Sequence, residues 1–109
     1  GKYCLHWHLL GPCRACEMVG NAIEHGHQRG IVIHGTHATK VEANVLYDIR
    51  GSGIYIEDGN EMGNMVLHNV VICPWGREGE MRSCTVPATD NAEADTSLNH
   101  AGLWSLPSA

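Results

Sequence analysis

The sequence predicts an all-β fold, a right-handed parallel β-helix (solenoid) of about four rungs, and two periodicities in phase predict it. A short apolar strand opened by glycine occurs at Gly30-Ile-Val-Ile-His34 and returns 23 residues later at Gly53-Ile-Tyr-Ile-Glu57. Asparagine in an apolar setting recurs in step as Asn21, Asn44 and Asn69, 23 and 25 residues apart. Glycine and β-branched residues disfavour helix, which excludes helical repeats. A leucine-rich repeat of similar length would need regular leucines that are absent. One coil of such a chain cannot bury its own inner face, so equivalent positions must stack at about 4.8 Å on neighbouring coils.

Taken in order, the strand line reads Leu5–Leu9, Ile31–Gly35, Ile54–Asp58 and, more loosely, Leu103–Pro107, with offsets of 26, 23 and 49 residues. Leu5/Ile31/Ile54/Leu103 and Trp7/Ile33/Ile56 are the expected interior columns. Met18–Ile23, Val41–Leu46 and Val66–Val71 supply the second element. Their asparagines are expected to stack at a corner, taking left-handed backbone and bonding through their amides, a structural role. Residues 76–99 break the period and account for the doubled step. They read as a long inserted loop in a single domain, a partial β-helix over 1–109. The acidic run from Asp90 to Asp95 reads as solvated loop. The chain begins within one strand and stops just after another. A fragment of a longer β-helix is therefore expected, partnered by the remaining rungs and domains of its parent, with marginal stability alone.

Composition narrows the partners. The 109 residues suffice for one small domain, and 43% hydrophobic content with net charge −5 is globular. No basic cluster follows a phosphate backbone, so nucleic acid is excluded as a partner. No apolar run is long enough to cross a bilayer, so no membrane contact is expected of this segment itself. Of five cysteines, Cys73 and Cys84 flank a glycine-containing excursion and could close it, which suits an oxidising compartment. Cys13 and Cys16 lack a second C-x-x-C to complete a zinc site and read as buried or unpaired thiols. An odd total leaves one thiol free or paired elsewhere.

Strand alternation places Leu5, Trp7 and Leu9 inside and His6 and His8 outside. Two outer columns follow, His6/Val32/Tyr55/Trp104 and His8/His34/Glu57/Leu106, with neighbours about 5 Å apart. His37, Asp58 and Glu61 come at the next turn. His8, His34, Glu57 and Asp58 are the candidate catalytic residues, because imidazole moves protons near neutrality and a carboxylate fixes its tautomer. His6, Tyr55, Trp104 and His37 are candidate substrate-binding residues, aromatic faces being suited to sugar rings. His8, His34, His37, Glu57 and Asp58 could instead hold a divalent cation, of zinc type rather than calcium. The bland alternative is that these columns solvate an exterior face.

Neighbours on a strand point to opposite faces, so Glu57 and Asp58 are not expected to form the facing carboxylate pair of a glycosidase. His25 with Asp48 and His27 with Arg50, each one rung apart, read as turn-stabilising contacts. His68 and His100 show no partner in the sequence. Serine nucleophile elbows, phosphate loops and H-E-x-x-H are absent.

The blocks Lys2-Tyr-Cys-Leu-His-Trp-His-Leu-Leu-Gly11, Val32-Ile-His-Gly-Thr-His37 with Val41–Asp48, and Ile56-Glu-Asp-Gly-Asn-Glu61 form an ordered set. With the closing Ala101–Pro107 they resemble the parallel β-helix region of the family containing the cell-migration-inducing hyaluronan-binding protein, its transmembrane hyaluronidase-like relative and fibrocystin-L. The resemblance runs from Lys2 to Pro107 and is weakest over 76–99. Cys4 departs from the family motif, which commonly has Pro or a similar residue there, and Cys13 and Cys16 are particular to this chain. The resemblance implies an extracellular segment of a secreted or membrane-anchored parent and a glycosaminoglycan-like partner. In some members hyaluronan is bound and depolymerised, so a hyaluronidase-like glycosidase activity of the full-length parent is one implication. Fibrocystin-L is regarded as receptor-like, so a non-catalytic ectodomain module is the other.

Overall fold

Alternating β-branched residues favour extended backbone, and the strands form where the sequence alternates. The computed structural model describes residues 3–74, 83–84 and 101–105. Apart from Ser83 and Cys84, the expected loop 76–99 lies outside the described residues, as do Leu106 and His100. Among the described residues ten strands occur in chain order: β1 (Leu5–Pro12), β2 (Glu17–Val19), β3 (Ala22–Glu24), β4 (Ile31–His37), β5 (Lys40–Glu42), β6 (Val45–Tyr47), β7 (Ile54–Ile56), β8 (Met65–Leu67), β9 (Val70–Ile72) and β10 (Leu103–Ser105). No helix is present among the described residues.

The strands form three sheets, ordered β1-β4-β7-β10, β2-β5-β8 and β3-β6-β9, with every pairing parallel. This all-β arrangement is consistent with a β-helix. The first sheet aligns Leu5 with Ile31, Ile31 with Ile54 and Ile54 with Leu103, as the sequence offsets require. Ile31, Ile33 and Ile54 from this sheet meet Val41, Leu46 and Ile49 in the core, with Leu5, Trp7, Met18, Ile23, Ile56, Val66 and Val71 packed around them. Burial does not run the whole length of the expected interior column. Leu103, on the outermost described strand of its sheet, is 53% exposed. Val32, expected on an outer column, is fully buried instead, in register between His6 and Tyr55.

Glycine opens successive rungs because the backbones touch there. A Cβ on Gly30 would stand 2.5 Å from the Gly53 carbonyl oxygen, and one on Gly53 would stand 2.9 Å from that of Gly102. The asparagine column forms as expected. Asn21 Nδ2 donates to Asn44 Oδ1 at 2.8 Å, and Asn44 Nδ2 donates to Asn69 Oδ1 at 2.9 Å. The left-handed backbone, however, belongs to the residue before each asparagine: Gly20, Ala43 and His68 have φ of 68°, 53° and 53°. The residue before turns the corner, which leaves asparagine placed to cap the preceding rung's backbone, as Asn44 does for Asn21 N–H and Asn69 for Asn44 N–H. The same rule governs another corner, where Ala38 and Gly63 are left-handed and Asn64 Oδ1 accepts from the Thr39 N–H and hydroxyl.

Cys73 and Cys84 are disulfide-bonded, and the Cys84 N–H donates to the Ile49 carbonyl, returning the excursion to the core. Cys13 and Cys16 also form a disulfide, contrary to the expected thiols. The Cys16 N–H donates to the Cys13 carbonyl in a turn that brings their Cα atoms to 5.3 Å, within bonding reach. Cys4 is free and exposed. His25 Nδ1 lies 2.9 Å from Asp48 Oδ2, so that pair does brace a turn.

Candidate functional site

Parallel pairing of β1 with β4 sets His6 beside Val32 and His8 beside His34. After His8 the register slips by one residue, a bulge in β1 beside the left-handed Gly35, and pairing resumes at Gly11 with Thr36. Within the regular part, His8 Nδ1 and His34 Nδ1 are 3.0 Å apart. The His6 ring stacks parallel to that of His34 with centroids 6.2 Å apart, and meets His8 edge-on at 5.1 Å. Three imidazoles therefore share one patch. His6 was expected only as a sugar contact; alternation put it on the same face as His8, but in a different column from His34, and the ring stacking between those two is what joins it to the cluster.

Both carboxylates reach His34. Its Nε2 lies 3.1 Å from Asp58 Oδ2 and its Nδ1 3.6 Å from Glu57 Oε2. This corrects the assignment of Glu57 and Asp58 to opposite faces. The strand β7 ends at Ile56, so alternation no longer governs the two residues that follow it. In the tautomer that carries its proton on Nε2, facing Asp58, His34 presents Nδ1 as an acceptor to a His8 Nδ1–H. His8, His34 and Asp58 thus lie in a contact chain whose outer imidazole is exposed.

Arg29, not singled out from the sequence, is the cation of the patch. Its guanidinium lies 3.3 Å over the Tyr55 ring and 3.5 Å from Glu57 Oε1, a cation–π contact with an ion pair. One Tyr55 face is thus occupied by the guanidinium. A signal was available: Arg29 directly precedes the glycine that opens the rung. Trp104 pairs beside Tyr55, and its indole Nε1 is buried without a hydrogen-bond partner among the described residues. His37 is tied elsewhere, its Nδ1 accepting from the Met62 N–H at 3.0 Å beyond the Gly35 bend.

Burial, with the neighbouring His8 next in weight, pushes the His6 pKa down and favours neutral imidazole. Burial also pushes the Tyr55 hydroxyl up, so it stays protonated. Glu61 fixes the bend: its Oε1 accepts from the Gly35 N–H at 2.9 Å and the Asp58 N–H at 3.2 Å. Burial alone would raise its pKa, but these and further backbone N–H donors outweigh it and hold the carboxyl below its usual range. A depressed carboxyl stabilises the fold above its unfolded pKa, about 4.3, and loses that contribution as pH falls through the folded value. Glu61→Gln is therefore expected to flatten the decline of unfolding free energy between pH 5 and 3, roughly. Urea titrations of both proteins at several pH values check this; equal declines would remove Glu61 as a contributor.

The sequence profile of the CEMIP β-helix family matches residues 1–104. The chain belongs to this family. It is 45% identical to fibrocystin-L of Mus musculus over 73 residues, covering 66% of the chain and 2% of that protein. To human cell surface hyaluronidase CEMIP2 it is 29% identical over 116 residues, covering 83% of the chain and 8% of the relative. A G8 domain-containing protein of Dictyostelium discoideum is 35% identical over 68 residues, or 62% of the chain and 5% of the relative. The chain spans only these small fractions of its relatives' lengths. No solved structure matches it significantly.

Proposed function

We propose that this family segment is part of a right-handed parallel β-helix in an extracellular parent. Its β1-β4-β7 face binds, and in the parent helps depolymerise, an anionic polysaccharide of hyaluronan type. The observation that carries this reading is the His8–His34–Asp58 chain, with Glu57 beside it and Tyr55 and Trp104 alongside. Handedness is supported by the strong bias of parallel crossovers to one hand. An extracellular setting is supported by two disulfides and by likeness to a cell surface hyaluronidase. In the proposed chemistry His8, the exposed end, exchanges a proton with the glycan. His34 relays it, and Asp58 and Glu57 stabilise the cationic imidazole. His6, Trp104, the free face of Tyr55 and the remaining nitrogen of His37 contact sugar.

Hyaluronan chain length, followed by gel filtration after incubation with the full-length parent, tests the reading. His34→Ala is expected to slow depolymerisation on the order of 100-fold, and Glu57→Ala to slow it less. Wild-type rates in both variants would remove the site. A second reading, a non-catalytic receptor-like module, is favoured by the 45% identity to fibrocystin-L. Glycan retention by the wild-type parent without any shortening would select it.

A further inference from the structure

We propose that His6, His8 and His34 form a mononuclear site for a divalent transition ion of zinc type, with Asp58 as its outer-sphere partner. One ring nitrogen from each histidine lies within 4.8 Å of one from each of the others. Zinc–imidazole bonds of about 2.0–2.1 Å in a tetrahedral site separate ligand nitrogens by roughly 3.3 Å. The His8 and His34 Nδ1 atoms, 3.0 Å apart, need to open only slightly, and imidazole rotation brings His6 closer. The parallel register holds the three rings in place: His6 and His8 alternate onto one face of β1, and His34 pairs with His8 across the sheet.

Three further observations point to a ligand. His6 Nε2 is buried without a hydrogen-bond partner among the described residues, an unmet acceptor or donor that an ion would satisfy. The Asp58 carboxylate lies against His34 Nε2 at 3.1 Å. That contact fixes the Nε2–H tautomer and turns the Nδ1 lone pair towards His8, the carboxylate–histidine–metal arrangement of zinc sites. Glu57 Oε2, also buried without a hydrogen-bond partner among the described residues, lies 3.6 Å from His34 Nδ1. With Asp58 it balances the ion's two charges. Three imidazoles select zinc-like ions over calcium, which takes oxygen ligands. They leave a fourth position for water or a sugar oxygen. In this state the ion replaces the proton bridging His8 and His34.

The inference goes beyond the glycan reading and does not depend on it. The full-length parent, dialysed against chelator, is titrated with Zn(II), with Ca(II), and with Co(II) as a spectroscopic stand-in. Wild type is expected to take up one Zn(II) more than His8→Ala and to show tetrahedral Co(II) bands that this variant lacks. His8 is exposed, so His8→Ala should retain the fold, with unchanged thermal unfolding of the metal-free proteins as its check. Asp58→Asn is expected to weaken Zn(II) about 10- to 100-fold, and His68→Ala to leave it unchanged. Equal Zn(II) uptake by wild type and His8→Ala overturns the site, as does Ca(II) displacing Co(II) with matching affinity. Metal uptake without glycan shortening leaves this site standing and removes the depolymerase; shortening that survives complete metal removal, with no Zn(II) difference between variants, does the reverse.

Discussion

Asn44→Ala is expected to lower the unfolding free energy by about 3–5 kcal/mol, from the loss of several satisfied buried polar groups. Asn44 is fully buried. Its Oδ1 accepts from both the backbone N–H and the Nδ2 of Asn21, and its Nδ2 donates to the Met18 carbonyl and Asn69 Oδ1. Alanine strands those partners between rungs, and each buried group left without a bond costs about 1–3 kcal/mol. The Asn44 backbone N–H keeps its bond to Asn69 Oδ1, and Asn21 is partly open to water, which moderates the sum. A domain of ordinary size holds only about 5–15 kcal/mol in all, so the variant approaches unfolding. Urea midpoints at constant m measure it, with Asn60→Ala on the surface as a control near zero. A change below about 1 kcal/mol would mean the ladder contributes no more than an ordinary hydrogen bond.

Gly30→Val is expected to be comparably damaging, at least about 3 kcal/mol, beyond ordinary overpacking. Even alanine's Cβ would lie 2.4 Å from Leu46 Cδ2 and 2.5 Å from the Gly53 carbonyl oxygen. Leu46 can rotate, but it is fully buried in the core, and the carbonyl accepts from the Ile31 N–H at 2.7 Å. Relief requires prising two rungs apart where their backbones bond. Gly11→Ala gives the contrast, since a Cβ there meets nothing within 4 Å. That variant bears only the strain of left-handed backbone, of order 1 kcal/mol. If Gly30→Val and Gly11→Ala prove equally stable, steric contact between rungs is not what selects glycine.

The strand register was legible because stacking makes period visible. Leu5, Ile31, Ile54 and Leu103 pair at the offsets at which they recur, and Asn21, Asn44 and Asn69 form the ladder their spacing implied. The corners were not legible. Ala43 and His68 adopt left-handed backbone that their residue types disfavour, because the stack imposes it. Asn64 escaped notice since its partner, Thr39, is not an asparagine. The site was half legible: alternation brought His8 to His34, but it could not say that β7 stops at Ile56. That stop lets Glu57 and Asp58 converge on one imidazole. Arg29 lies before the strand, where no alternation rule reaches it. The Cys13–Cys16 bond depended on a turn geometry that two cysteines at this spacing do not specify.

The asparagine column has a direction. Backbone bonds between rungs run both ways, as in Gly30 N–H to Ser52 and Arg50 N–H to Gly26, so their dipoles largely cancel. The side-chain amides do not alternate: Asn21 gives to Asn44 and Asn44 gives to Asn69. Their dipoles add along the stack, and each bond polarises the next. A file of amides inside a sheet protein thereby acquires the cumulative polarity normally associated with a helix, negative towards the earlier rung, where each carbonyl oxygen accepts, and positive towards the later one, where each N–H donates.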